Sequence, residues 1–182
     1  MGAVSRLTER QDIELVASAA GGDEIAFRRI IATHHEDMRR VCLAVSGDHL
    51  IAEEAVQAAW LVAWRKLHEI RDPERLRPWL VSVAVNEAKH LLRSRRRRAK
   101  VEVLSDPADE AGGIDPATGI ASVDLRVALR HLDPDDRALL VMRYGVGFNA
   151  SELAIATGSK PAATRQRLKR LLDRLREDLD DA

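Results

Sequence analysis

Between residues 101 and 121 the chain loses the helical spacing of apolar residues that it keeps on both sides, and this break decides the architecture. The stretch holds Pro107, Gly112, Gly113, Pro116 and Gly119, residue types that resist helix and strand interiors. Its charges are Glu102, Asp106, Asp109, Glu110 and Asp115, with no base among them, so it reads as an acidic linker. Apolar residues recur at helical intervals before and after it, and the sequence has no strand-like alternation. The 182 residues therefore predict an all-α chain, with one small helical domain over residues 1–100, the linker over 101–121, and a second domain over 122–182.

In the first domain, Thr8 and Gln11 suggest a capping box for a helix that stops at Gly21-Gly22. Asp23 caps a second helix whose inward positions are Ala26, Phe27, Ile30, Ile31, Met38, Val41, Cys42 and Val45. Gly47-Asp48 breaks that pattern. A third helix is expected from about His49 to His68, burying Leu50, Val56, Trp60, Leu61, Trp64 and Leu67 and exposing Glu53, Glu54 and Gln57. A loop follows over Glu69–Arg77. The fourth helix carries Trp79, Leu80, Val83, Ala84, Leu91 and Leu92 into an arginine block. Pro78 fits only a first turn, so this helix starts between Pro73 and Pro78.

Beyond the linker, Ser122 opens a helix through Leu125, Leu129 and Leu132. Asp133-Pro134 is a cap followed by a proline at the first helical position, and this next helix is expected to reach Tyr144. The tail then reads as a helix-turn-helix. Asn149 with Glu152 makes a capping box, Leu153 and Ala154 face inward, and Gly158 supplies the left-handed stop. A last helix opens around Ser159–Pro161 with an apolar stripe of Leu168, Leu171, Leu172, Leu175 and Leu179. Lys160, Arg165, Arg167, Lys169 and Arg170 crowd its first turns with no acid among them, as in helices that enter a DNA groove. A solvated face on a helical hairpin is the competing reading.

A net charge of zero looks unfavourable for nucleic acid, but its distribution reverses that. Residues 86–100 hold Lys89, Arg93, Arg95, Arg96, Arg97, Arg98 and Lys100 against Glu87 alone, while 101–125 hold acids only. Two basic patches can thus meet phosphate with an acidic segment between them. Cys42 is the single cysteine, which excludes an internal disulfide and a cysteine-based zinc site; it is expected in a helix core. The six histidines form no cluster at ligand spacing, and no phosphate loop or nucleophile motif occurs. The sequence thus predicts no enzyme, no metal and no cofactor. No signal peptide or membrane-length apolar run is found, so a cytoplasmic protein without membrane insertion is expected.

The order of these parts resembles the short, two-domain extracytoplasmic-function group of bacterial sigma factors. The resemblance is carried by "ELVASAAGGDEIAFRRI", "SGDHLIAEEAVQAAWLVAWRKL" and "RPWLVSVAVNEAKHLLRSRRRR" in the first half. In the second half it is carried by "LDPDDRALLVMRYGVGFNASELA" and "TRQRLKRLLDRLRE". It implies partners: core RNA polymerase, promoter DNA with a duplex −35 element and an unpaired −10 strand, and an anti-sigma factor. Glu53, Glu54, Gln57 and Trp60 match the polymerase-docking surface. Carboxylates and an amide on one face can pair with arginines across an interface. Arg71, Glu74, Arg75, Trp79 and Asn86 match the −10 reader, where Asn86 can both donate to and accept from a captured base. Trp79 fits a core position better than a stacking platform.

The resemblance also places Arg93, Arg95, Arg96, Arg97 and Arg98 on backbone phosphate. Arg165, Gln166 and Arg167 fall at the −35 contact positions, arginine suiting guanine and glutamine suiting adenine. Lys160, Thr164, Lys169 and Arg170 are placed for phosphate. The chain departs from the family pattern at several points. Ala58 stands where an acid usually follows the docking glutamine, Ile51 replaces a common aspartate, and Val85 replaces an arginine before Asn86. Ala162-Ala163-Thr164 replaces a Gly-Thr-Val turn. A helix-turn-helix regulator that does not recruit polymerase is the alternative, though it leaves the arginine block and the "AEEAVQ" helix without a role.

Overall fold

The computed structural model describes residues 13–70, 72–101 and 132–180, which are helical with no strand among them. The Thr8 capping box, Arg71, residues 102–121 of the expected linker and all but Leu132 of the helix expected from Ser122 through Leu132 lie outside these residues, while Val101 is the last residue of the fourth long helix. A first helix, α1, covers residues 13–20. Helix α2 (Glu24–Ser46) starts where the Asp23 carboxylate accepts from the amides of Ile25 and Ala26, at 2.8 and 3.1 Å. It ends at Gly47, whose φ of 68° is the left-handed conformation that glycine adopts at no steric cost. Asp48 then caps α3 (His49–Lys66) by accepting from Leu50 and Ile51. Two residues therefore reverse the chain. Single-turn helices at Leu67–Glu69 and Pro73–Arg75 lead into α4 (Leu76–Val101), with Pro78 in its first turn.

Helices α2, α3 and α4 pack on one another as a three-helix unit. Ile30, Met38, Val41, Cys42 and Val45 of α2 meet Ala55, Val56, Ala59 and Ala63 of α3 and Leu80, Ala84 and Ala88 of α4. Alanine on the facing sides lets the helix axes approach closely. Burial pushes the Cys42 thiol up to about 12, with the Glu53 carboxylate adding to the shift. His34, which carries no apolar signal, is also buried.

The structure corrects the expected face of α3. Leu50, Leu61 and Trp64 were expected inside but are 75%, 67% and 39% exposed. The inward stripe is instead Ile51, Ala52, Ala55, Val56, Ala59, Trp60 and Ala63. Small alanines fill the seam between close helices, so the larger Leu50 and Leu61 are left on the outer face. Ile51, at a position where the family has an aspartate, is a core residue for the same reason.

In the second domain α5 covers Pro134–Leu140, its cap Asp133 accepting from Asp135 and Asp136. The expected continuation to Tyr144 is not α-helical. Over Val141–Gly145 the chain widens into a π-turn, with Val146 N–H donating to the Val141 carbonyl at 2.9 Å. The extra residue per turn aims Phe148 into the core, where it is fully buried with Leu139, Met142, Leu153 and Leu171. Helix α6 (Ala150–Thr157) and helix α7 (Pro161–Asp180) complete the domain.

The two domains touch. Helix α5 packs on α2, and α6 packs on α4.

Candidate nucleic-acid interface

Three surfaces gather the residues that the sequence singles out. On α3, Glu54 and Gln57 are exposed and Glu53 is half-buried, with Leu50 and Leu61 on the same outer side. Trp60 does not join them. It is buried, donates from Nε1 to His35 Nδ1 at 3.3 Å, and meets the Phe27 ring edge-on at 5.8 Å. Its place is under the face, seating α3 on α2. Trp64 packs against the same Phe27 at 4.8 Å while keeping one side open.

The second surface follows α4. Asp72 caps the short Pro73–Arg75 turn by accepting from Glu74 N–H at 3.2 Å, and Glu74 and Arg75 are exposed on it. Trp79 is half-buried against the core, its carbonyl accepting from the Ser82 hydroxyl at 2.7 Å. Asn86 is exposed two turns beyond Trp79, and the adjacent Val85 is a core residue. Arg93, Arg96, Arg97 and Arg98 are exposed near the end of the helix. Arg95 is held by Asp48 at 2.6 Å, which ties the basic end of α4 to the start of α3. Burial alone would raise the Asp48 carboxyl. The Ile51 amide, Arg95 and the Leu50 amide outweigh that and hold it below its ordinary range.

The third surface is the helix-turn-helix. The capping box is complete: Asn149 Oδ1 accepts from Ser151 and Glu152 amides, and Asn149 N–H donates to Glu152 Oε2 at 2.8 Å. Gly158, with φ of 64°, ends α6 in the left-handed conformation. A chain of hydroxyls then stitches the turn, Thr157 to Ser159 at 2.7 Å and Ser159 to Thr164 at 2.6 Å. Thr164 is thus buried inside the turn, also donating to the Lys160 carbonyl, and is not presented outward with the cations. Lys160, Arg165, Gln166, Lys169 and Arg170 are exposed on the outer side of α7.

Arg167 points the other way. Its Nε donates to Asp136 Oδ1 at 2.8 Å, and Arg174 reaches the other oxygen of that carboxylate at 2.9 Å. The Asp136 side chain is only 6% exposed. Neighbouring Asp133 would be raised by its burial, but the amides of Asp136 and Asp135, with Arg167 nearby, hold its carboxyl below the ordinary range. Nothing in the local sequence singles out Asp136 as the partner of two arginines. The only signal for it was a third acid in "DPDD", which looked like first-turn helix charge.

Between the domains lies a further set that the sequence did not reveal. Arg77 Nε donates to Asp37 at 2.9 Å, its Nη2 donates to the Val146 carbonyl at 2.7 Å, and its guanidinium lies over the Phe148 ring at 5.0 Å. Arg137 Nε donates to the Ala44 carbonyl at 2.9 Å, and Lys89 meets Asp135 at 2.6 Å. Val85, Asn86 and Lys89 of α4 line a cavity of about 210 Å³ together with Ala156, Gly158 and Arg167 of the second domain.

The family model described as Sigma-70 region 2 matches residues 30–98, and the one described as Sigma-70, region 4 matches residues 128–177. The ECF RNA polymerase sigma factor SigM of Mycobacterium tuberculosis is 30% identical over 173 residues, covering 90% of this chain and 86% of SigM. RfaY of Xanthomonas campestris pv. campestris is 30% identical over 88% of this chain, but the chain spans only 42% of RfaY. Among solved structures, CnrH in complex with the cytosolic domain of CnrY superimposes with a TM-score of 0.70 at 26% identity. That match covers 94% of this chain and 98% of CnrH, so it takes in both domains.

Proposed function

The chain belongs to the sigma-70 family, in its extracytoplasmic-function group, and from that premise we propose that it directs core RNA polymerase to promoters through a −10 and a −35 element. The observation that carries this reading is the coexistence on one chain of two unlike surfaces. The outer side of α3 offers carboxylates and an amide, and the outer side of α7 offers cations and an amide. A DNA-binding regulator needs only the second.

On this reading the outer side of α3 docks on polymerase. Glu53, Glu54 and Gln57 supply charge and hydrogen bonds toward arginines, and the exposed Leu50, Leu61 and Trp64 supply apolar contact beside them. Trp60 acts from beneath by fixing the helix. Along α4, Asn86 takes an unstacked base of the −10 strand, with Glu74 and Arg75 at the loop and Arg71 beside them in sequence. Trp79 supports the helix from its half-buried place. Arg93 and Arg95–Arg98 meet phosphate at the fork, giving affinity without sequence.

In the second domain Arg165 and Gln166 read the −35 bases, while Lys160, Lys169 and Arg170 hold the backbone. Arg167 orients α7 through Asp136 instead of reading a base, and Thr164 shapes the turn. The chain needs no reacting centre or cofactor of its own, because polymerase supplies the chemistry. An anti-sigma partner fits the family, CnrH being seen bound to CnrY. No helix among the described residues is long and apolar enough to cross a membrane, and we place the protein's action in the cytoplasm with promoter DNA. The test is reconstitution with core polymerase on a promoter library. Start-site-specific transcripts that depend on the chain support the reading; DNA binding without association with core would return the simple regulator.

A further inference from the structure

We propose, resting on the sigma reading above, that His90 is a further contact for the opened −10 strand, its imidazole ring forming the stacking platform for the base next to the one taken by Asn86. The polar side chains of α4 divide into two sets. Arg77 is bonded to Asp37 and to the Val146 carbonyl, Lys89 to Asp135, and Arg95 to Asp48. Asn86, His90, Arg93 and Arg97 are exposed, and among the described residues no hydrogen bond or ion pair holds any of them.

The four uncommitted residues share one side of the helix. At about 100° per residue, His90, Arg93 and Arg97 fall within about 40° of Asn86, whereas Arg77 and Arg95 fall about half a turn away. Glu87, the one acid nearby, is half-buried and about 100° round from Asn86, so the stripe carries no negative charge. A strand lying along it meets an amide, an imidazole and two guanidinium groups in that order. The amide suits a base edge and the guanidinium groups suit phosphate. Asn86 and His90 are one turn apart, a rise of ~6 Å, against ~3.4 Å between stacked bases of one strand. Neighbouring bases that reach these two side chains are therefore pulled off one another, and each needs a new surface for its face.

Proteins that hold single strands supply that surface with flat rings. Here the large rings are engaged elsewhere. Phe27 meets both Trp60 and Trp64. Phe148 is buried beneath Arg77, and Tyr144 lies in the second domain beside Arg143. Trp79, the other flat ring of α4, is half-buried against the core. His90 is the ring that α4 presents fully to solvent. Stacking accepts any base, because every base has a π-face. The contact thus gives a −10 position that takes all four bases yet fails when the base is missing, beside a position where Asn86 imposes a choice.

The experiment uses the full chain assembled with core polymerase, on forked DNA built from a promoter recovered from the library. Its non-template −10 strand carries one abasic nucleotide, moved a position at a time. The parent should lose about tenfold in affinity at each of two adjacent positions, the scale of one stacked base. His90→Ala should lose about tenfold on intact DNA and become indifferent to the abasic nucleotide at one of those positions. Asn86→Ala should become indifferent at the other. His90→Phe, which keeps a ring without its nitrogens, should bind within about twofold of the parent, and His90→Lys, which keeps a donor without a ring, should stay weak. Thermal melts of the His90 variants should match the parent, since the side chain is exposed. Parental affinity in His90→Ala would overturn the contact. Rescue by lysine and not by phenylalanine would overturn the stacking role and make His90 a phosphate contact. A parent chain with no affinity for core would overturn the sigma reading and this contact with it, whereas the first two outcomes leave that reading standing.

Discussion

Arg167 of the last helix meets Asp136 of α5 at 2.7 Å, a pair in which the carboxylate is buried and the guanidinium 41% exposed, and the same carboxylate, shared with Arg174, ties α7 to α5 in the second domain. It turns Arg167 toward the protein and leaves Arg165 and Gln166 outward. Arg167→Ala should therefore destabilise the domain by about 1–3 kcal/mol, since a buried carboxylate loses one of its two partners. It should weaken binding to all −35 sequences alike. Arg165→Ala and Gln166→Ala should leave stability unchanged and each relax one base position, worth about 1–3 kcal/mol of discrimination. Selection on randomised −35 elements beside thermal melts separates the two behaviours. An Arg167→Ala selection that relaxes one position at full stability would make it a reader after all.

On α3 the expected split is between face and seat. Glu53→Lys with Glu54→Lys should remove core binding with the helical fold intact, and Leu61→Ser, at a site 67% exposed, should weaken binding without a stability cost. Trp60→Ala should instead destabilise the first domain by about 3–5 kcal/mol, as expected for a large buried aromatic. Core-binding titrations and urea melts on the same variants distinguish these. Normal holoenzyme formation by the double lysine variant would end the docking assignment.

Neutralising Arg96, Arg97 and Arg98 one at a time should each lower the slope of log K against log salt by about one, because each removes a phosphate contact. Arg95 should differ. Its bond to Asp48 gives it a structural share, so its loss should also lower stability. Asn86→Ala should impair strand opening, read by permanganate footprinting, more than duplex binding, since a captured base exists only after melting.

Asp48 gives a pH dependence with a definite sign. Its carboxyl lies below the ordinary value of 3.8 in the folded chain, so the folded state favours the charged form. That contribution is complete above the ordinary value and is lost as pH falls through the folded value. Urea midpoints should drop on acidification through this range, and less so in Asp48→Asn, which keeps a capping oxygen but has no charge to lose. Equal acid sensitivity in both proteins would show that Asp48 does not carry the effect.

Sequence was a good guide wherever the structure is set by local chemistry. Asp23, Asn149 and Gly158 cap helices through their own backbone neighbours, so their roles can be read from residue type and position, whereas Gly47-Asp48 reads only as a break and the structure makes it a C-cap and an N-cap. The outer face of α3 is not legible in the sequence because its inward stripe is mostly alanine, which hydrophobic periodicity underweights against Leu50 and Leu61. The π-turn at Val141 left no compositional trace. Arg77, Lys89, Asp136 and Arg137 were out of reach for a different reason: their partners lie 31 to 93 positions away, Lys89 and Asp135 included within that span. Charge on a helix does not announce whether it is solvated or paired across domains.

Promoter-directed initiation is tested most directly by run-off transcription with purified core polymerase, a promoter library and the full chain. Transcripts with defined start sites should appear only when the chain is present, and should vanish with Glu53→Lys plus Glu54→Lys while −35 duplex binding persists. Transcription at full strength by that double variant, or no transcripts from any promoter despite tight DNA binding by the parent chain, would contradict it.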